Sequence, residues 1–261
     1  DSTQRYPYAQ ALGAIGDTAL LYQMGKEIAQ QMKLMGIHIN FAPVADISSN
    51  SKNPVINFRS FGESKKTVAE HAWHFARGMQ ENGVLPVAKH FPGHGDTETD
   101  SHLALPLLNH TKTQIDTFES FPFRYLANKG IGGIMVGHLS VPALGDQTIP
   151  ASISKSVITT YLRNEINYHG FVVTDAIDMK AVKTPGRNIE ALALAAGVDM
   201  VECVPNMENA IQSVVTAINE GKITIEQINE KCATVLSVKR WVQLNNYQPV
   251  ATKNLAKELN N

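Results

Sequence analysis

Apolar residues recur along this chain in two alternating rhythms. In residues 18–36, Leu20, Met24, Ile28, Met32 and Met35 fall three or four apart, which is one face of a helix, and Gly36 is a stop signal. Residues 37–44 then read as a strand that ends before Asp46. Residues 64–83 predict a second helix with Val68, Ala72, Phe75 and Met79 on one side, and residues 84–91 a second strand. The alternation continues with helices over 121–128, 155–168 and 189–196, each followed by an apolar strand, at 133–138, 170–175 and 197–204. Helices over 207–220 and 224–244 close the pattern, and residues 245–261 form a polar tail or linker.

Helices alternating with short apolar strands imply a parallel sheet with helices packed outside it. A (β/α)8 TIM-type barrel and an open doubly wound sheet both fit. The chain has no Gly-rich dinucleotide fingerprint between a strand and a helix. Polar and ionisable residues gather instead at strand ends: Asp46, Lys89 with His90, His138 and Asp175. In a barrel those ends converge on one face, where active sites form, so the barrel is favoured.

Composition narrows the picture. The 261 residues are 43% hydrophobic, and 23 Lys and Arg against 24 Asp and Glu leave a net charge of −1. That balance excludes a nucleic-acid backbone as partner and a disordered chain. No apolar run reaches the ~20 residues that span a bilayer. Two cysteines, Cys203 and Cys232, make no disulfide framework. The chain begins at Asp1 rather than Met, as a processed product or a part of something longer would.

The densest chemistry lies in residues 89–102, KHFPGHGDTETDSH, which holds three of the nine histidines. A loop so rich in titratable groups points to function rather than packing. Two chemistries compete for it. His90, His94 and Asp96 have spacings that could ligate a metal. Alternatively Asp100 and His102, two apart and so co-directional in an extended loop, make an acid–base pair in which the carboxylate orients the imidazole. Asp175 is a second focus, because it terminates a strand apolar enough to be buried on both faces.

These residues resemble glycoside hydrolase family 3, in its β-N-acetylglucosaminidase branch. Residues 89–102 carry the long signature of that family. Residues 41–46, FAPVAD, are similar to the strand before its substrate loop, and Asn53-Pro54-Val55-Ile56 with Arg59-Ser60-Phe61-Gly62 to the loop itself. Residues 172–179, VVTDAIDM, are similar to its nucleophile strand.

The resemblance implies a retaining exo-hydrolase that removes terminal β-linked N-acetylglucosamine from peptidoglycan-derived or chitin-derived oligosaccharides, with no cofactor. Asp175 aligns with the nucleophile, His102 with the acid/base and Asp100 with its orienting partner. Arg59, Lys89 and His90 align with residues that hydrogen-bond the sugar, and His138 is a further candidate contact. Lys89 and His90 are consecutive on a strand, so regular alternation would send them to opposite faces. His94 and Asp96 are expected to shape the loop, Asp46 to brace the barrel mouth, and His38, His71, His74, His110 and His169 to carry no chemistry.

The family's upstream Glu-Gly-Gly segment and the Arg after it do not occur in this chain. Five strand candidates stand where a barrel has eight. Residues 1–244 are therefore expected to be the C-terminal five units of a catalytic barrel that a missing N-terminal segment completes. The other readings are a metal-dependent hydrolase built on His90, His94 and Asp96, a non-catalytic sugar-binding barrel, and an N-acetylglucosamine phosphorylase.

Overall fold

A computed structural model of the chain describes residues 5–100, 104–145, 147–182 and 187–259. Four parallel strands form one sheet in sequence order: β1 (Ile39–Asn40), β2 (Leu85–Phe91), β3 (Gly133–Val136) and β4 (Phe171–Thr174). Every strand lies beside its neighbour in the chain, so the crossovers all step one way. The strand-order reversal of a doubly wound sheet does not occur among them. The alternation thus yields an α/β fold with a parallel sheet, and the sheet is an open arc.

The predicted fifth strand contributes a single bridge, Met200 to Val173. Side chains take over ladder positions there. The Asp199 carboxylate accepts the Val172 N–H at 2.8 Å and pairs with Arg163 at 2.8 Å, and the Thr174 hydroxyl accepts the Glu202 N–H at 3.1 Å. β1 is likewise shorter than the predicted 37–44, because Pro43 has no N–H to give a ladder. Its carbonyls keep the alignment, with Ala42 and Pro43 accepting the Val87 and Lys89 N–H groups at 3.0 Å each.

The two faces of the sheet are both covered. Ala88, Ile134, Val136 and Val172 pack against α3 (Lys65–Gln80), α5 (Phe121–Lys129) and the π-helix Ser156–Glu165. The alternate residues Leu85, Val87, Met135, Phe171 and Val173 meet Val235 and Val238 of the last long helix and Val242 just beyond it. A period of two along each strand separates these two clusters.

The helices begin where capping chemistry allows. After the short α1 (Ala9–Gly13), Asp17 caps α2 (Thr18–Leu34) by accepting the Ala19 N–H at 2.9 Å, and Ser64 caps α3. A short turn α4 (Lys112–Gln114) and a π-turn (Ile115–Glu119) precede α5. α6 (Ile189–Ala196), α7 (Met207–Asn219) and α8 (Ile225–Trp241) follow, and Thr224 and Gln227 form a capping box for α8.

The face expected of α2 is rotated. Leu21, Gly25, Ala29 and Met32 are buried, while Leu20 is 56% exposed. Backbone contact with α3 sets this orientation. A Cβ on Gly25 would lie 2.2 Å from the Phe75 carbonyl oxygen, and one on Gly78 would lie 2.1 Å from that of Tyr22. The small residues must therefore face the crossing. Among the described residues, no helix is long and apolar enough to cross a membrane.

Candidate active site

Residues at the carboxyl ends of β1 and β2 meet through Asp46 and His90. Asp46, just past the β1 alignment, is fully buried and accepts from three donors, one of them shared between its two oxygens. They are the His90 N–H, at 3.1 Å from each oxygen, the His90 Nδ1–H at 2.7 Å and the His94 N–H at 2.8 Å. Burial opposes ionisation of Asp46, but His90 and His94 outweigh it and hold the carboxyl below its usual value.

β2 does not stay regular to its end. Ala88 pairs with Ile134 and Phe91 with Val136, so β2 carries one more residue than β3 over this step. Such a bulge breaks alternation, and the Lys89–His90 peptide within it is cis. Lys89 and His90 both act electrostatically on the Asp175 carboxylate and lower its pKa. Burial, then Arg59, lowers the Lys89 pKa, while Asp175, Glu202 and Asp46 pull it back up.

Asp175 follows β4 directly. Its N–H donates to the Val136 carbonyl at 2.9 Å, and its Oδ1 accepts the Ala176 N–H at 2.9 Å. Burial would raise its pKa, yet His90, His138, the Ala176 N–H and Lys89 together hold it below the usual aspartate value. The group is thus a half-buried, ionised carboxylate at a strand exit, held so by the charges around it and one backbone N–H.

His138 is fully buried, and both ring nitrogens are engaged. Nε2 lies 3.0 Å from the Ala176 carbonyl and so carries the hydrogen; Nδ1 accepts from the Ser152 hydroxyl at 2.6 Å. Burial holds its pKa below the usual histidine value. This imidazole ties the end of β3 to the residue after Asp175.

Arg59 closes a 3-10 turn (Asn57–Arg59), and its Nη1 donates to the Val55 carbonyl at 3.1 Å. The turn is fastened to the signature loop by Asn53. Its Nδ2 donates to the His94 carbonyl at 2.8 Å, and its Oδ1 accepts the Val55 and Ile56 N–H groups at 2.9 and 2.7 Å. The two loops touch so closely that a Cβ on Gly95 would lie 1.6 Å from the Ile47 carbonyl oxygen.

The proposed metal triad does not assemble. His90 Nδ1 is held by Asp46 and His94 Nδ1 by Thr97, at 2.7 Å each. Asp96 turns away to His110, one of the histidines assigned no chemistry, with Oδ2 2.8 Å from Nε2. Glu119 completes that cluster; burial, then Asp96 and Asp46, pushes its carboxyl up to about 8. Asp100 is described and half-buried, whereas His102 lies outside the described residues.

Sequence reasoning missed Glu202, which sits against Asp175 and Lys89; burial and then Asp175 raise its pKa. It falls within the fifth apolar segment, where a lone Glu resembles an exposed strand position. It also gave no role to Asn53, a loop residue outside any periodic pattern.

A cavity of about 740 Å³ lies at the other end of the sheet, before β1 and β2, and is lined by Gly36, His38, Gly83, Trp241 and Tyr247 among others. None of Asp46, Arg59, Lys89, His90, His138 and Asp175 lines it.

Residues 1–238 match the model of the glycosyl hydrolase family 3 N-terminal domain. The chain is 31% identical over 239 residues to beta-hexosaminidase A of Pseudoalteromonas piscicida, covering 83% of this chain and 40% of that protein. It is 34% identical over 209 residues to a beta-hexosaminidase of Chromobacterium violaceum, covering 77% and 58% respectively. A glycoside hydrolase family 3 beta-N-acetylglucosaminidase from Paenibacillus sp. str. FPU-7 superposes with a TM-score of 0.91 at 33% identity, over 99% of this chain and 52% of that one. The chain thus spans about half the length of such relatives.

Proposed function

This chain belongs to glycosyl hydrolase family 3, and from that premise we propose that it carries the catalytic residues of a retaining exo-β-N-acetylglucosaminidase. The observation that carries the reading is the ionised Asp175 carboxylate at the exit of β4, within the influence of His90, His138 and Lys89. Its relatives named beta-hexosaminidase support the substrate class.

In this reading Asp175 attacks the anomeric carbon, and the sugar–oxygen bond to the leaving group breaks as the glycosyl ester forms. His102, oriented by Asp100, gives its proton to the departing oxygen. In the second half-reaction His102 takes a proton from water, which attacks the same carbon and releases Asp175. A histidine suits both roles because its ordinary pKa lies near neutrality. Arg59 and Lys89 hold sugar hydroxyls by charge-assisted hydrogen bonds, and His90 by the ring nitrogen that Asp46 does not engage. His138 contributes by fixing the Ala176 carbonyl and, with it, the approach of Asp175.

The sequential, reversal-free order of the parallel strands also fits an arc of a (β/α)8 barrel, with the site at its carboxyl-end mouth. The substrates that suit such a site are N-acetylglucosamine-terminated fragments of peptidoglycan or chitin.

The test is covalent trapping on the full-length protein with a slow, fluorinated N-acetylglucosaminide. A glycosyl adduct on the peptide bearing Asp175, with β-configured product released first in NMR, supports the reading. An adduct on another carboxylate, or α-configured product, overturns it. Running the assay with and without phosphate separates hydrolysis from phosphorolysis, since only the latter yields a sugar phosphate.

A further inference from the structure

Beneath the signature loop, three side chains from three separate segments converge. Asp96 comes from the loop, His110 from the stretch before α4, and Glu119 from the last residue of the π-turn. One ligand atom from each lies within 4.8 Å of the others. A hydrogen on His110 Nε2 can point well at only one acceptor. It reaches Asp96 Oδ2 at 2.8 Å, and Glu119 Oε1 stands off at 3.5 Å. Glu119 is only 1% exposed, and its Oε2 has no hydrogen-bond partner. A buried carboxylate oxygen without a partner is costly, and here it belongs to the ligand cluster itself.

We propose that Asp96, His110 and Glu119 are the ligand set of a first-row divalent cation of the zinc class. One imidazole nitrogen and two carboxylates favour zinc-like ions over magnesium or calcium, which prefer all-oxygen sites. A cation on Nε2 replaces the single shared hydrogen and serves both carboxylates at once. The imidazole hydrogen then sits on Nδ1, so the ring stays neutral. Three protein ligands leave a fourth position for water.

The site lies apart from the Asp175 mouth in its ligands, and it shares no residue with the set proposed for glycoside cleavage. Its place explains what it does. Asp96 stands four residues before Asp100, and the Ser120 hydroxyl, beside Glu119, donates to the Pro92 carbonyl at 3.0 Å. Bound metal would clip the loop that carries Asp100 to the segment entering α5. The role is structural, and it stands whether or not Asp175 is a nucleophile.

The full-length protein, stripped with a chelator and returned to buffer, is titrated with Zn²⁺ by calorimetry and with Co²⁺ by visible absorption. The expected result is one equivalent per chain, a Co²⁺ ligand-field band and a raised thermal midpoint, with Mg²⁺ inert at the same concentrations. Glu119→Gln, nearly isosteric, and His110→Ala should each weaken binding by at least about 100-fold. His169→Ala, which removes an exposed histidine elsewhere, should leave it unchanged. Absence of a stoichiometric site in the wild-type protein overturns the proposal. So does binding that survives Glu119→Gln in a protein whose circular dichroism is intact.

Discussion

Asp46 grips His90 at two points, accepting its backbone N–H at 3.1 Å and its ring Nδ1–H at 2.7 Å. The carboxylate therefore sets both the path of the chain through the β2 bulge and the rotation of the imidazole. Asp46→Asn leaves shape unchanged but turns an acceptor pair into one acceptor and one donor. The expected loss is about 3–5 kcal/mol, the range for breaking a buried charged partnership, read by urea unfolding at pH 7.

The same group makes that loss depend on pH. The folded-state pKa of Asp46 is depressed below 3.8. Its stabilising contribution is therefore complete above the unfolded value and fades as pH falls through the folded one. The gap between wild type and Asp46→Asn should be widest near neutrality and should shrink below pH 3.8. A gap that is constant from pH 7 to acid would contradict the assignment.

Asp175→Ala is expected to bring turnover of an aryl N-acetylglucosaminide by the full-length protein to background. His102→Ala and Asp100→Ala should slow it by about 10²–10⁴, the range for an acid–base catalyst. A leaving group that needs no proton should be spared most of the His102→Ala loss. Wild-type rates in any of the three variants would remove that residue from the mechanism.

Asn53 joins the Arg59 turn to the signature loop through one side chain, so Asn53→Ala strands several buried groups together. Among them are the His94 carbonyl and the Val55 and Ile56 N–H groups. The expected cost is about 2–4 kcal/mol, from buried polar groups left unpaired. On the proposed reading KM should rise more than kcat falls, since Arg59 loses its footing while Asp175 keeps its own.

Gly78→Ala reverses a familiar sign. Inside a helix, alanine in place of glycine ordinarily gains roughly 0.5–1 kcal/mol. Here the new Cβ would lie 2.1 Å from the Tyr22 carbonyl oxygen, so a net loss of stability is expected by thermal denaturation. Gly16→Ala, outside the helices and with nothing near its Cβ, should show no such loss.

The sequence made the helices legible because their caps are local: Asp17, Ser64 and Thr224 stand where the apolar periodicity begins. The strand ends were legible because a polar residue after an apolar run is visible in one dimension. What escaped depends on partners remote in the chain. The α2 face turns on which residues of α3 it meets. The break in alternation at Lys89 and His90 turns on a bulge defined only by β3, and the fifth strand was lost to side chains competing for the ladder. Asp96, His110 and Glu119 fell in three segments with no common motif, so their meeting had no signature.

The contact between α2 and α3 reaches further than stability. Where backbone meets backbone, there is no pliable side chain to absorb a misfit, and any enlargement displaces a whole helix. α3 starts one residue after Glu63–Ser64, and the Ser60 hydroxyl just upstream donates to the Asp46 carbonyl at 2.6 Å. A shift of α3 would thus be relayed along the chain to the residue that orients His90. Positional accuracy at the mouth of the sheet is underwritten by two hydrogen atoms buried between the helices, those standing where Gly25 and Gly78 lack side chains.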